Sequence, residues 1–199
     1  MPELPQLILA SSSTTRRQML KNLGLSFDSI SPDIDESSKP GESHAKLAAR
    51  LAKEKAEAIA HTQPDSLVIG SDQVATLDGQ QLHKPGNIDN AVAQLSAAAG
   101  RSMHFVSAVA LARSGQATEV RSSQYRVKLR PLTEDQINAY VRMEDVSHCA
   151  GSFRSEGLGA ALFEEHEGSD PSTLMGMPLI ALCDLLLAAD YPLFTKQGC

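Results

Sequence analysis

The stretch LILASSSTTRRQML, residues 7–20, is where a reading of the fold begins. Leu7-Ile8-Leu9-Ala10 is a short continuous apolar run suited to a buried strand, and Met19, Leu20 and Leu23 then recur at helical spacing up to a C-capping Gly24. The three serines between them fall in a strand-to-helix turn. Such a turn presents unpaired backbone N–H groups and the positive end of a helix dipole, and serine hydroxyls add donors, so it suits an anion. Arg16 and Arg17, in the first helical turn, are unfavourable against that dipole unless something negative lies nearby. The turn alone leaves two readings open: an anion site, or a simple cap at Ser12 or Ser13 with both arginines in solvent.

Working outward, the 199-residue chain is long enough to bury a substantial core, which predicts one domain over residues 1–199, with two lobes as an option. A net charge of −6 argues against a nucleic-acid partner, so a phosphorylated ligand needs a locally positive cleft on an acidic body. No signal-peptide pattern or bilayer-length apolar run is visible, and the expectation is a cytoplasmic protein with no membrane partner. Cys149, Cys183 and Cys199 are odd in number and lack C-x-x-C spacing, which predicts reduced thiols rather than a disulfide framework or a zinc site. The histidines, His148 among them, show no metal-ligand spacing and read as structural or surface residues.

Phe27-Asp28-Ser29-Ile30 alternates as a strand should, and the polar segment 33–42, with Glu36, reads as a loop. Ser43 caps the clearest helix, HAKLAARLAKEKAEAIA, whose apolar stripe of Ala48, Leu51, Ala52 and Ile59 is interrupted by Lys55. That lysine either snorkels to water or points into a cleft. Leu67–Val74 reads as a compact strand with Asp72 at its C-terminal end, where open α/β sheets place their ligands. Asp78-Gly79 predicts a hairpin turn leading to Lys84, and Asn87 caps a helix running to Gly100. Residues 102–113 and 118–130 predict an antiparallel pair around Ser114-Gly115. Thr133 and Gln136 form a capping box, and Pro178 opens a last helix at its first position. The segment 150–159 is glycine-rich without the G-x-G-x-x-G spacing of a phosphate loop.

The polar positions have a shared chemical sense. Asp72 and Glu36 can hold a hard divalent cation, while Arg16, Lys55 and Lys84 can clamp phosphates whose charge grows during hydrolysis. LILASSSTTRRQML, SPDIDE, LAARLAKEKA, VIGSDQV, HKPG, CAGSFRSEG and GMPLIAL, in that order across nearly the whole chain, resemble the Maf family of nucleotide pyrophosphatases. The resemblance implies an α/β fold like that of inosine triphosphatase and Ham1 proteins: a two-lobed, mixed, twisted sheet flanked by helices, with a central cleft. It implies hydrolysis of a nucleoside triphosphate to the monophosphate and pyrophosphate with Mg²⁺ or Mn²⁺, and it leaves a homodimer open.

Carried over residue by residue, the resemblance makes Asp72 the catalytic acid/base group, with Glu36 and Lys84 beside it and Asp72 and Glu36 as metal ligands. Ser11, Ser13, Arg16, Lys55 and Lys84 hold the triphosphate, and Arg17 stays outside the mechanism. Thr15, Gln73 and Glu156 depart from the dTTP/UTP branch of the family and resemble its 7-methyl-GTP branch. Guanine methylated at N7 carries a delocalised positive charge with donors at N1 and N2, which a carboxylate at Glu156 can accept while compensating the charge. The chain has no tryptophan, so any stacking on the base falls to Phe, Tyr or Arg. Other readings are dTTP or UTP as substrate and a non-catalytic nucleotide-binding regulator of cell division.

Overall fold

The computed structural model describes residues 5–194. Its strands are β1 (Leu7–Ala10), β2 (Asp28–Ile30), β3 (Leu67–Leu77), β4 (Gln80–Leu82), β5 (Ser102–Ala112), β6 (Glu119–Leu129) and β7 (Phe163–Glu167). They form one sheet in the order β2-β1-β3-β5-β6-β7, with β4 paired to β3. Pairing is parallel where β1 meets β2 and β3 and antiparallel elsewhere, which makes the sheet mixed, as expected. The helices are α1 (Thr14–Asn22), α2 (His44–Thr62), α3 (Ile88–Ala98), α4 (Glu134–Met143) and α5 (Leu179–Ala188). None is long and apolar enough to cross a membrane.

Helix α2 lies on one face of the sheet, where Ala48, Leu51, Ala52 and Ala56 pack on Ile8, Val68, Val74 and Ala110. The approach is close enough to require a glycine: a Cβ on Gly70 would stand 2.7 Å from the backbone nitrogen of Ala56. The opposite face carries two cores. Leu7, Leu9, Ile69 and Val109 pack with Leu182 and Leu186 of α5, while Phe105, Tyr125 and Val127 pack with Leu95 of α3 and Ile137 of α4. Between them runs a polar row in which Gln73, Ser107 and Ser123 stand side by side across three strands. This row separates the two cores.

Strand β3 corrects one expectation. Asp72 does not end it, because pairing with β5 continues through Leu77. What ends at Gly70 is the parallel pairing with β1, and β4 picks up the same edge only at Ala75. Asp72 therefore lies in a gap between two edge partners, just past the C-terminal end of β1 and beside the serine turn. Three further features depart from the sequence reading. Residues after the glycine-rich segment form a 3-10 turn (Leu158–Leu162) and strand β7, a second 3-10 turn spans Pro171–Met175, and Pro178 is the N-cap of α5 rather than its first residue. Cys149 and Cys183 are free thiols, and Cys199 lies outside the described residues.

Candidate active site

Of the two readings of the serine turn, the structure shows the cap. Ser13 caps α1, its Oγ accepting from the Arg16 N–H at 3.3 Å, and the buried Ser11 Oγ accepts from the Ser13 N–H at 3.1 Å. Arg16, however, is not in solvent: its Nε donates to the Gly176 carbonyl at 2.9 Å. Gly176 has φ +92°, and a Cβ there would sit 3.2 Å from Arg16 Nη2, so the position favours glycine twice over. The hydroxyl of Ser71 lies 2.8 Å from the same carbonyl and 2.7 Å from that of Ala108, tying this turn to the sheet. Thr15 is half-buried in the first turn of α1, and Arg17 forms no salt bridge among the described residues.

Lys55 does not snorkel to water but meets two carboxylates. Its Nζ stands 2.6 Å from Asp72 Oδ1 and 2.7 Å from Glu36 Oε1, with the Lys55 side chain only 7% exposed. An ammonium removed from water in this way needs such partners to offset its desolvation. Glu36 itself is 60% exposed, on a loop that Arg50 of α2 holds down through the Ser37 carbonyl at 2.9 Å and the Glu42 carboxylate at 2.7 Å. Partial burial raises the Glu36 pKa, but the Lys55 hydrogen bond and the charges of Lys55, Lys84 and Arg16 prevail and hold it below the ordinary carboxylate value. Burial lowers the Arg16 pKa, which the carboxylates of Asp72 and Glu36 partly counter. Arg16, Glu36, Lys55, Asp72 and the exposed Lys84 thus form one electrostatically linked group.

Gln73, the neighbour of Asp72, looks the other way. Its Nε2 donates to the carbonyls of Thr173 at 2.7 Å and Leu174 at 3.1 Å. The turn bearing those carbonyls is anchored from several sides. Ser107 Oγ donates to Thr173 O at 2.7 Å, Thr173 Oγ1 donates to Ser123 Oγ, and the buried Asp170 accepts from the N–H groups of Ser172 and Ile180, each at 2.9 Å. Leu174 and Met175 then line a cleft of about 430 Å³ with Phe163, His166 and Glu156. The largely buried Tyr125, its hydroxyl 2.7 Å from His166 Nδ1, also lines the cleft, so Tyr125, Phe163 and His166 are the rings at its wall.

Glu156 contacts none of the phosphate-end groups directly; its partner is Arg154, Nε to Oε1 at 3.3 Å. Glu156 and Lys84 nevertheless act on one common group. The thiol of Cys149 is pushed up to about 11 by burial and by the charge of Glu156, while Arg154 and Lys84 pull the other way. Gly176, Thr173 and Asp170 carried no assigned role in the sequence reading; the one signal was the closing GMPLIAL stretch, which begins at Gly176.

Residues 6–189 match the family described as Maf-like protein. A protein of Burkholderia lata named 7-methyl-GTP pyrophosphatase is 51% identical over 98% of this chain and 95% of its own length. One of the same name from Pseudomonas aeruginosa is 49% identical over 92% of this chain and 96% of its own. In fold, the Ham1 protein of Staphylococcus aureus aligns with 93% of this chain and 99% of its own at a TM-score of 0.50 and 16% identity, in keeping with the mixed α/β sheet. With the match spanning nearly every element described above, the chain belongs to the Maf family.

Proposed function

We propose that the protein hydrolyses 7-methyl-GTP to 7-methyl-GMP and pyrophosphate. The observation that carries the chemistry is the convergence of Asp72 and Glu36 on Lys55, each with a carboxylate oxygen within 2.7 Å of its ammonium, with Arg16 and Lys84 in electrostatic range. The choice of base rests on the relatives named for 7-methyl-GTP and on the departures at Thr15, Gln73 and Glu156.

The residues fit a divalent cation. Asp72 Oδ1 and Glu36 Oε1 both lie within 2.7 Å of the Lys55 ammonium, so the two carboxylates are near enough together to share an ion beside it. Among the described residues no group of three or more His, Cys, Asp or Glu could hold a metal ion, so Asp72 and Glu36 would hold it together with substrate phosphates, in keeping with the habit of Mg²⁺ and Mn²⁺. When bound, the ion neutralises charge on the phosphates. Asp72 takes the proton of the attacking water, whose oxygen bonds to the α-phosphorus as the link to the bridging oxygen breaks and pyrophosphate leaves. Arg16, Lys55 and Lys84 oppose the charge that accumulates on the leaving group, and the Ser11–Ser13 turn orients it. Glu156 accepts from N1 and N2 of the methylated base. We place this activity in the cytoplasm, with no nucleic-acid partner.

Pyrophosphate release from 7-methyl-GTP, GTP, UTP, dTTP and CTP, with Mg²⁺ or Mn²⁺ and with a chelator, tests the reading. The expected result is the highest kcat/KM on 7-methyl-GTP and no release in chelator. Faster hydrolysis of UTP or dTTP would overturn the choice of base, and nucleotide binding without release from any of them would leave a regulator rather than an enzyme.

A further inference from the structure

A carboxylate that reads a cationic base must be free to receive it, and in this structure Glu156 already has a cation. Arg154 Nε lies 3.3 Å from Glu156 Oε1. The same nitrogen lies 3.8 Å from Glu144 Oε2, which is buried and has no hydrogen-bond partner among the described residues. The other oxygen of Glu144 is engaged, accepting from the Leu158 N–H at 3.0 Å. A buried carboxylate oxygen without a partner is costly, so Glu144 Oε2 is a vacant acceptor within a small rotation of the guanidinium.

The surroundings allow that rotation while fixing the backbone. The Arg154 N–H donates to Tyr140 Oη at 3.0 Å, whereas the Arg154 side chain is 44% exposed. Gly157 lets Glu144 lie close beneath the loop, since a Cβ there would come within 2.6 Å of Glu144 Oε1. Other charged groups nearby are Lys84 and Asp145, which with Glu156 and Arg154 act on the Cys149 thiol, and Glu164 and Glu165, which line the same cleft as Glu156 and pair with Lys128 and Arg126.

We propose that Arg154 is a movable counter-ion, which neutralises Glu156 while the base site is empty and moves onto Glu144 when a positively charged base takes its place. The exchange replaces one cation by another at Glu156 and supplies the missing partner at Glu144. A neutral base of the same shape cannot make the trade without leaving Glu156 under-compensated, so the pair of carboxylates favours the methylated, cationic base. This rests on the reading of Glu156 as the base contact.

The test is steady-state kcat and KM for 7-methyl-GTP and GTP in the wild type, Arg154→Met, Arg154→Lys, Glu144→Gln, Glu156→Gln and the Arg154→Met/Glu156→Gln double variant. Arg154→Met removes the competitor, and the KM for 7-methyl-GTP should fall about two- to fivefold, the scale of a partly exposed ion pair, with GTP unchanged. Arg154→Lys keeps a cation and should stay near wild type. Glu144→Gln keeps the acceptor for Leu158 but loses the charge that receives Arg154, and should raise the KM for 7-methyl-GTP by a similar factor. In the double variant the gain from Arg154→Met should vanish. A higher KM or lower kcat on 7-methyl-GTP in Arg154→Met, alongside a selective loss in Glu156→Gln, overturns the counter-ion role alone. An equal loss on both substrates in Glu156→Gln removes the base contact itself, and the proposal with it.

Discussion

Of the two parts of the proposed site, Asp72, Lys55 and Arg16 stand on β3, α2 and α1, while Glu156 and the carbonyls of Thr173 and Leu174 stand on turns. The first set is fixed by cores: α2 cannot shift without disturbing the contact of Ala56 with Gly70, so the distance from Lys55 to Asp72 is set by packing. The second set is fixed by side chains bonded to backbone, through Gln73, Ser107, Asp170, Tyr140 and Glu144. The contrast teaches how chemistry and selectivity are separated. On the proposed assignment, Asp72, Lys55 and Arg16 sit where displacement would cost core packing, Glu36 and Lys84 meet the same phosphates from exposed loops, and Glu156 sits where residues can change without disturbing a core.

The largest expected effect lies at the rigid end. Asp72→Asn should lower kcat by about 10²–10⁴-fold on every triphosphate, the range for a lost acid/base group, while the fold persists by circular dichroism. Near-normal turnover in the folded variant would take Asp72 out of the mechanism. Lys84→Ala should cost about ten- to a hundredfold in kcat/KM, by the same factor for 7-methyl-GTP, GTP and UTP, because a phosphate contact does not read the base. A change in base preference instead would move Lys84 to the selective end and blur the division.

A smaller effect concerns proton affinity. Because Lys55 and its neighbours hold Glu36 below the ordinary 4.5, the stability it contributes is present above that pH and is lost as pH falls through the folded value. Lys55→Met should move the Glu36 carboxyl upward, measured by carbon-detected NMR titration, and shift the acid-induced loss of stability to higher pH. An unmoved Glu36 would mean that Lys84 and Arg16 set its charge without Lys55.

The rigid end was also the more legible from sequence. The apolar run of β1, the spacing in α1, the alanine-rich α2 and the paired runs of β5 and β6 each carry a period or a cap that reads locally. Lys55 did not read locally, since an apolar stripe looks the same whether its lysine snorkels or meets a carboxylate; only its partners Asp72 and Glu36, on other elements, decide. Asp72 was displaced from a strand end to a strand interior because the end of β1, not of β3, opens the site. Strand β7, FEEHE, has no alternation to find, and it exists because β6 offers an edge. Gly176 acts through its carbonyl, which no side-chain pattern reveals.

The most direct test of the division compares kcat/KM on 7-methyl-GTP and UTP for the wild type and Glu156→Gln. Gln keeps the shape of Glu156 but loses its charge and turns one acceptor into a donor facing the base's own N–H groups. With a hydrogen bond to a charged partner worth about 1.5–3 kcal/mol, 7-methyl-GTP hydrolysis should fall about ten- to a hundredfold while UTP hydrolysis holds or rises. An equal fall on both substrates would contradict the account, placing Glu156 with the groups that every triphosphate needs.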